Sequence, residues 1–179
     1  MQEGLVLSFD IGIKNMALCL MDANECILKW CLLDITSSKK NDLDSMSRIL
    51  IQELDNLVID YLDSSVPLVV LIENQPVMKA PTMKSIQMII YTYFKVLEIH
   101  EARDVKIHLV SAMKKNTYMK SKGYDIKAKD YKSNKANSIK FVEDYLTTLD
   151  DQVNLEYLKM MKKKDDICDA LIQILSYNI

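Results

Sequence analysis

The chain has 179 residues, of which 49% are hydrophobic and 27% are charged, and its formal net charge is −2. These values are typical of one globular domain with its own core, spanning residues 1–179, and they exclude a disordered chain. No apolar run approaches the ~20 residues of a membrane span, and no basic leader precedes the first apolar stretch at Leu5. We therefore expect a soluble, cytoplasmic protein without a membrane partner.

The cysteines and histidines show no spacing that is typical of a metal site or a disulfide framework. The four cysteines lack C-x-x-C spacing, and His100 and His108 are remote from them in sequence. We expect no zinc site, and thiols that stay reduced as they do in a cytosol-like compartment.

Charge is distributed unevenly along the chain. Residues 114–140 contain nine lysines and only two acidic residues, Asp125 and Asp130, so the remainder of the chain is clearly acidic. A segment with this local excess of positive charge is suited to a polyanionic partner.

Three short apolar runs open the chain, at residues 5–9, 16–21 and 26–35. The turn-like sequences GIKN and DANE separate them, which predicts an antiparallel meander. Apolar residues at helical spacing then predict an amphipathic helix over residues 41–62, opened by an Asn or Asp cap. The unbroken apolar run LVVLIE at residues 68–73 is typical of a strand that is covered on both faces.

The second half of the chain predicts mainly helices. One helix should run from about residue 82 to about residue 103, with ends uncertain by two to four residues. Its apolar residues surround nearly the whole circumference, so it is buried either in the core alone or between the core and a partner subunit. A fifth strand is predicted over residues 105–110, then a lysine-rich loop through about residue 131 and a helix over residues 135–146. Residues 151–161 add a helical turn or two, and a helix ends the chain.

This element order predicts an α/β sheet with a meander at one edge, followed by right-handed parallel crossovers. In that topology the first and fourth strands are neighbours, and each ends in an acidic residue, Asp10 or Glu73. Both acids should therefore lie at the carboxyl end of the sheet, where α/β proteins build their sites.

The last helix adds two more acids, because Asp166 and Asp169 stand three residues apart and project from one face. Each acid has an ordinary structural explanation when taken alone. Acids in a first helical turn complement the macrodipole, Asp10 is compatible with a turn, and Glu73 is compatible with a buried, hydrogen-bonded side chain.

Taken together, the four acids favour a metal site. Like charges at close range would force some carboxyl groups to stay protonated, and divalent cations remove that conflict. Oxygen ligands favour Mg²⁺ or Mn²⁺, and two such ions about 3.5–4 Å apart activate water for in-line attack on a phosphodiester. We expect two ions per site and no small-molecule cofactor.

Three motifs in order, SFDIGIKNMALCLMD, VVLIENQP and KKKDDICDALIQ, resemble the poxvirus Holliday junction resolvases. These are relatives of the bacterial RuvC and fungal mitochondrial resolvases in the ribonuclease H-like superfamily. The resemblance spans nearly the whole chain. It implies a five-stranded mixed sheet flanked by helices, a homodimer, and a role in viral DNA recombination and genome concatemer resolution. It also implies Mg²⁺-dependent symmetric nicking of four-way junctions, which leaves 5′-phosphate and 3′-hydroxyl ends.

Carried over to this chain, the catalytic acids of the family fall on Asp10, Glu73, Asp166 and Asp169. The neighbouring Asp165 is an alternative for the third acid, and we choose Asp166 because its spacing to Asp169 matches the closing D-x-x-D of the family. The family also has an active-site lysine in the helix before the last. The stretch SNKANSIKFV resembles that place and indicates Lys135, with two further candidates, Lys114 and Lys115, just after the fifth strand.

The basic segment is expected to bind DNA, because lysines neutralise phosphates and interleaved tyrosines stack on unpaired bases. A charge run is otherwise often a solvated face. Lys14 and Asn15 follow the Asp10 turn and should lie close to the scissile phosphate, although a polar turn is the plain alternative. The tyrosines are Tyr118, Tyr124 and Tyr131, and the predicted DNA-binding residues are Lys14, Asn15, Lys114, Lys115, Lys120, Lys122, Lys127, Lys129 and Lys132.

Three other functions are compatible with parts of the pattern. A related nuclease that cuts RNA–DNA hybrids or branched DNA would share the metal chemistry, but paired cuts on a symmetric junction need a dimer. A sugar kinase or actin-like ATPase shares the D-x-G turn, but it needs a duplicated domain about twice as long. A non-catalytic DNA-binding module would gain by losing four acids that repel a polyanion.

Overall fold

A computed structural model describes residues 4–37, 42–101, 103–127 and 130–177. Five strands form one sheet in the order β3-β2-β1-β4-β5. The strands are β1 (Leu5–Asp10), β2 (Met16–Met21), β3 (Ile27–Leu33), β4 (Leu68–Glu73) and β5 (Val105–Val110).

The pairing of the strands places the ends of β1 and β4 side by side. Strands β1, β2 and β3 pair antiparallel, whereas β4 pairs parallel with both β1 and β5. In the register of β1 and β4, Phe9 lies opposite Ile72, so Asp10 and Glu73 both follow at the same edge. The predicted meander and the mixed five-stranded sheet are confirmed.

Six helices flank the sheet in the described part of the chain, and several begin at a side-chain cap. Asp42, Ser111, Asp130 and Asp151 each accept a hydrogen bond from a backbone N–H in the first turn of the helix that follows. The helices are α1 (Leu43–Tyr61), α2 (Pro81–His100), α3 (Ala112–Ser121), α4 (Tyr131–Thr148), α5 (Gln152–Met160) and α6 (Lys164–Tyr177).

The two faces of the sheet carry separate apolar cores. Leu7 and Phe9 of β1 pack with α1 and α2 on one face, whereas Val6 packs on the other face with α4 and α6. Because side chains alternate along a strand, Asp10 projects from the same face as Val6. The sheet therefore directs Asp10 toward α6.

The lysine-rich segment is more helical than the sequence predicted. The prediction of a loop through about residue 131 is wrong for residues 112–121, because they form α3. Helix α4 also begins earlier than predicted, at Tyr131 rather than at Lys135. Ser111 caps α3, and burial of Lys115 and Met119 anchors this helix on the protein. Tertiary burial, which the local composition did not indicate, explains the difference.

Helix α2 is only partly enclosed by the residues that the structure describes. Ile86, Gln87, Ile90 and Phe94 are buried, but one side of the helix lies on the surface. Burial in the core alone is therefore wrong, and the other alternative, a face shared with a partner subunit, stays open. A groove between α1 and α2 is lined by Ile51, Met88, Ile89, Thr92, Tyr93 and Val96. Among the described residues, no helix combines the length and the apolar character needed to cross a membrane.

Candidate active site

A cavity of about 330 Å³ lies at the carboxyl ends of β1 and β4, and it brings the predicted acids together. Asp10 and Glu73 enter it from the strand ends, and Asp166 and Asp169 enter it from the first two turns of α6. The cavity is lined by Asp10, Ile11, Glu73, Gln75, Ala112, Lys115, Asn116, Tyr131, Asn134, Lys135, Ser138, Asp165, Asp166 and Asp169.

Buried hydrogen bonds from two side chains, Trp30 and Gln173, hold α6 against the sheet. The indole Nε1 of Trp30 donates to the carbonyl oxygen of Ile167 at 2.8 Å. One turn beyond Asp169, Nε2 of Gln173 donates to the carbonyl oxygen of Leu71 at 3.1 Å and reaches that of Phe9 at 3.4 Å. Gln173 therefore connects α6, which carries Asp166 and Asp169, to the strands that end in Asp10 and Glu73.

Lys115 lies among three of the four acids. Its Nζ atom is 3.0 Å from Oδ2 of Asp169, 3.3 Å from Oδ1 of Asp10 and 3.7 Å from Oε1 of Glu73, and its side chain is only 5% exposed. Burial opposes the charged ammonium, but the charges of Asp10, Asp169 and Glu73 outweigh burial and raise the pKa of Lys115. The site thus holds a permanent internal cation.

Three carboxyl groups of the cavity, those of Asp10, Asp166 and Asp169, have raised pKa values. Burial and the Glu73 charge raise the pKa of Asp10 to about 7, despite the opposing charge of Lys115. Burial and the charges of Asp165 and Asp10 raise the pKa of Asp166 to about 6, and burial with Asp10 raises that of Asp169. Crowded, poorly solvated carboxylates of this kind are typical of functional sites.

Lys135 forms a different pair on the rim of the cavity. Its Nζ atom bonds to the Asp165 carboxylate, and it lies 4.6 Å from the centroid of the Tyr131 ring. Burial opposes ionisation of Asp165, but its hydrogen bonds and the charge of Lys135 together outweigh burial and lower the pKa of this acid. Of the three lysines that the sequence proposed for the site, Lys115 has the innermost position. Lys114 instead lies 5.3 Å from the ring centroid of Tyr177.

Two glutamines that the sequence analysis did not single out orient Glu73. Nε2 of Gln75 donates to Oε2 of Glu73 at 2.7 Å, and the backbone N–H of Gln75 donates to Oε1 of the buried Gln87 at 2.8 Å. Nζ of Lys84 bonds to the same Gln87 oxygen and to Asn74. Polar residues directly after a strand acid, in the sequence ENQ, were the available signal.

Among the predicted DNA-binding residues that the structure describes, only Lys115 lines this cavity, and Lys122 lines a different one with Glu25 and Leu175. Lys14, Lys120, Lys122 and Lys132 are exposed, and Asn15 is half-buried. Three of the remaining four lysines contact other side chains of the protein, and the fourth is not described by the structure. Lys127 pairs with Asp125 at 3.0 Å, Lys114 faces Tyr177, Lys115 is buried, and Lys129 lies outside the described residues.

The three predicted stacking tyrosines have different surroundings. The rings of Tyr118 and Tyr124 meet Phe141 edge-on, with centroids 5.6 Å and 5.2 Å apart. Tyr131 is 73% exposed at the mouth of the cavity. Two of the three rings therefore belong to the packing of α3 and α4.

The donor set of the cavity fits a hard cation, although the acids are not arranged around one. Among the described residues, no group of three or more His, Cys, Asp or Glu side chains is placed as a metal ligand set. The Lys115 ammonium stands between three carboxylates instead, as a positive charge where a cation would neutralise them. Carboxylate oxygens are among the hard oxygen ligands that Mg²⁺ and Mn²⁺ prefer.

Comparison with known proteins identifies the family. A family model described as "Poxvirus A22 protein" matches residues 4–179. The chain belongs to this family. The resemblance to the poxvirus resolvases, which rested on three motifs, is confirmed by this match.

The A22-family chain also matches a curated relative, "Uncharacterized protein L451" of Acanthamoeba polyphaga mimivirus. The two are 34% identical over 148 residues, which is 77% of this chain and 35% of that protein. The chain therefore spans little more than a third of the length of this relative.

Solved structures share the fold of the A22-family chain. The yeast mitochondrial Holliday junction resolvase Ydc2 superposes with a TM-score of 0.71 at 17% identity, over 96% of this chain and 78% of that one. Thermus thermophilus RuvC gives 0.64 at 12% identity, over 97% and 95% of the two chains. The same RuvC in complex with a Holliday junction gives 0.59 at 9% identity, over 98% and 94%. The ribonuclease H-like fold is confirmed.

Proposed function

We propose that this chain is a structure-selective DNA endonuclease that resolves four-way junctions by paired symmetric nicks. The meeting of Asp10, Glu73, Asp166 and Asp169 in one cavity carries the proposal. The viral family supports it, as does a fold shared with the Holliday junction resolvase Ydc2 and with RuvC bound to a Holliday junction. Such an enzyme serves viral DNA recombination and genome concatemer resolution in the host cytoplasm.

The four acids would hold two Mg²⁺ ions, for which Mn²⁺ would substitute, because the donors are all carboxylate oxygens. The bound ions supply an activated water and neutralise charge on the scissile phosphate. Lys115 competes with them for three of the carboxylates, since its ammonium lies within 3.7 Å of each. Once released from the acids, this ammonium is placed to donate to a phosphate oxygen.

Other residues would orient the acids and bind the DNA backbone. Gln75 orients Glu73 through the hydrogen bond from its Nε2 atom. Lys14 and Asn15, on the turn after β1, hold the DNA backbone next to the acids. Lys135 stays a candidate active-site lysine, and its pairing with Asp165 favours a role at the rim of the cavity. Lys115, which contacts Asp169, is the candidate for a lysine that contacts the reacting phosphate.

A labelled immobile four-way junction tests the proposal, with linear duplex and an RNA–DNA hybrid as parallel substrates in Mg²⁺. Paired symmetric nicks on the junction alone are expected. Cleavage of the hybrid alone would instead indicate a different ribonuclease H-like nuclease. Binding of the junction without cleavage, at any Mg²⁺ or Mn²⁺ concentration, would indicate a non-catalytic DNA-binding module.

Paired nicks require two sites, and we propose a homodimer whose contact includes the groove between α1 and α2. Val96 and Met88 are 46% and 42% exposed there, and apolar side chains dominate the lining. Val96→Glu should give a monomer in sedimentation equilibrium and replace paired nicks by single ones. Ile59→Glu, at a residue of α1 that is 80% exposed outside the groove, is the matched control and should remain dimeric. A dimeric Val96→Glu protein would place the contact elsewhere.

A further inference from the structure

Of the three predicted stacking tyrosines, Tyr131 is the one whose ring does not pack in the protein core. It is 73% exposed and is the only aromatic side chain among the large exposed hydrophobic residues of the described chain. In the described part of the chain its ring pairs with no other aromatic ring, whereas Tyr118 and Tyr124 both pack on Phe141. Covering this exposed ring with a flat ligand would remove apolar surface from water, which favours binding.

The position of Tyr131 connects it with the acids. It is the first residue of α4, behind the Asp130 cap, and it lines the same cavity as Asp10 and Asp166. A group resting on the ring would therefore lie beside the place where the phosphodiester is cut.

A cation holds one side of the ring in place. The Lys135 ammonium lies 4.6 Å from the ring centroid and is itself bound to Asp165 on α6. The ring is thus attached to the catalytic helix through two charged contacts, and it forms a fixed surface at the cavity mouth.

The charge around the ring selects the kind of ligand. The acids of the cavity repel a phosphate, which carries a full negative charge, but they do not repel a neutral heterocycle. Exposed Lys132 follows Tyr131 directly and is suited to the phosphate of the same nucleotide. A flat aromatic ring beside a lysine is the usual arrangement for an unpaired base and its backbone.

We propose that Tyr131 forms a subsite for one unpaired nucleobase, which stacks on its ring at the mouth of the cavity while the phosphate of the same nucleotide contacts Lys132. The proposal rests on the proposed function, because the subsite is useful only next to the cleaved phosphate. It supplies a physical reason for preferring branched over linear DNA. A base at a branch point is free to leave its stack, whereas a base in continuous duplex must first be unpaired at a cost of a few kcal/mol.

Fluorescence of 2-aminopurine tests the subsite independently of cleavage. The base analogue is placed next to the branch point of a four-way junction, and the junction is bound in Ca²⁺. Stacking on Tyr131 should quench the fluorescence, and the analogue eight base pairs away should show no change. Tyr131→Phe should keep the quenching, whereas Tyr131→Leu should lose it and weaken junction binding about tenfold.

Linear duplex is the matched control substrate, and its affinity should be the same for all three proteins. Because Tyr131 is exposed, the thermal midpoint should also be unchanged, which removes misfolding as an explanation. Equal quenching by wild-type and Tyr131→Leu would overturn the subsite. Equal loss in Tyr131→Phe and Tyr131→Leu would also overturn it, because a hydroxyl contact would then be responsible. Quenching by a protein that cuts no junction would leave the subsite standing and refute the proposed function alone.

Discussion

Nζ of Lys115 lies 3.0 Å from Oδ2 of Asp169, although the two residues are 54 positions apart in the chain. The same ammonium reaches Asp10 at the end of β1 and Glu73 at the end of β4. One buried cation therefore links helix α3, helix α6 and two strands of the sheet. This arrangement has measurable consequences for stability, metal binding and cleavage.

Removing the internal cation should destabilise the metal-free protein. Lys115→Met leaves three partly buried carboxylates without their counter-charge, and we expect a loss of about 3 kcal/mol in the free energy of unfolding at pH 7. Urea unfolding measures this loss, and saturating Mg²⁺ should recover most of it. Lys114→Met, at the neighbouring half-buried lysine, is the control and should cost less than about 1 kcal/mol. Equal losses for the two variants would contradict a special role for Lys115.

Stability of the metal-free protein should fall as the pH rises from about 4 to about 7. The folded state raises the pKa of Asp10 to about 7 and that of Asp166 to about 6, so it retains protons that the unfolded chain releases. The unfolded state therefore binds fewer protons in this window, and the free energy of unfolding decreases with pH. Thermal midpoints from pH 4.5 to pH 8 check this, and Asp10→Asn should flatten the profile. A midpoint that rises steadily across the window would refute the assignment.

The acids should be needed for cleavage but not for DNA binding. Glu73→Gln or Asp166→Asn should lower the rate of Mg²⁺-dependent junction cleavage by about a thousandfold or more, because each removes a candidate ion ligand. Binding to the junction in Ca²⁺ should survive. Asp165→Asn is the informative comparison, because Asp165 is paired with Lys135. If Asp165→Asn abolishes cleavage and Asp166→Asn does not, the third acid is Asp165.

Gln75 should tune the ion affinity of the site through Glu73. Gln75→Met keeps the volume but removes the donor to Oε2, so we expect half-maximal cleavage at about a tenfold higher Mg²⁺ concentration. Isothermal titration with Mn²⁺ gives a second readout without turnover. Gln152→Met, at an exposed glutamine of α5, is the control. An unchanged metal dependence would show that Glu73 does not need this hydrogen bond.

The lysines after α3 should contribute salt-sensitive binding. Neutralising Lys127, Lys129 and Lys132 together should weaken junction binding and reduce the slope of log K against log salt by about one for each lysine that pairs with a phosphate. Neutralising Lys29, Lys106 and Lys159, which lie on β3, β5 and α5, removes the same number of charges and is the control. An unchanged slope in the first variant would place the DNA surface elsewhere.

Local sequence patterns were sufficient to predict the strands and the acidic residues at which β1 and β4 end. The runs before Asp10 and Glu73 are apolar because β1 and β4 are covered on both faces, and that burial is visible as composition. The i, i+3 spacing of Asp166 and Asp169 likewise fixes their common face, since it follows from helix geometry alone.

The sequence was a poorer guide where burial comes from distant elements. Lys115 reads as one lysine in a basic run, and only the packing of α3 against α6 shows that it is buried among acids. Tyr118, Tyr124 and Tyr131 have the same chemistry and similar neighbours in sequence. Their difference arises because Phe141 on α4 covers two rings and leaves the third exposed.

The sequence by itself determined the order of the elements, the acids at the ends of β1 and β4, and the paired acids of α6. These features depend on residues a few positions apart, whose periodicity and spacing are written in the chain. Only the tertiary structure decided which lysine neutralises the acids and which tyrosine stays open to a ligand. Both depend on tertiary contacts that local sequence does not show, such as Lys115 with Asp10 and Tyr118 with Phe141.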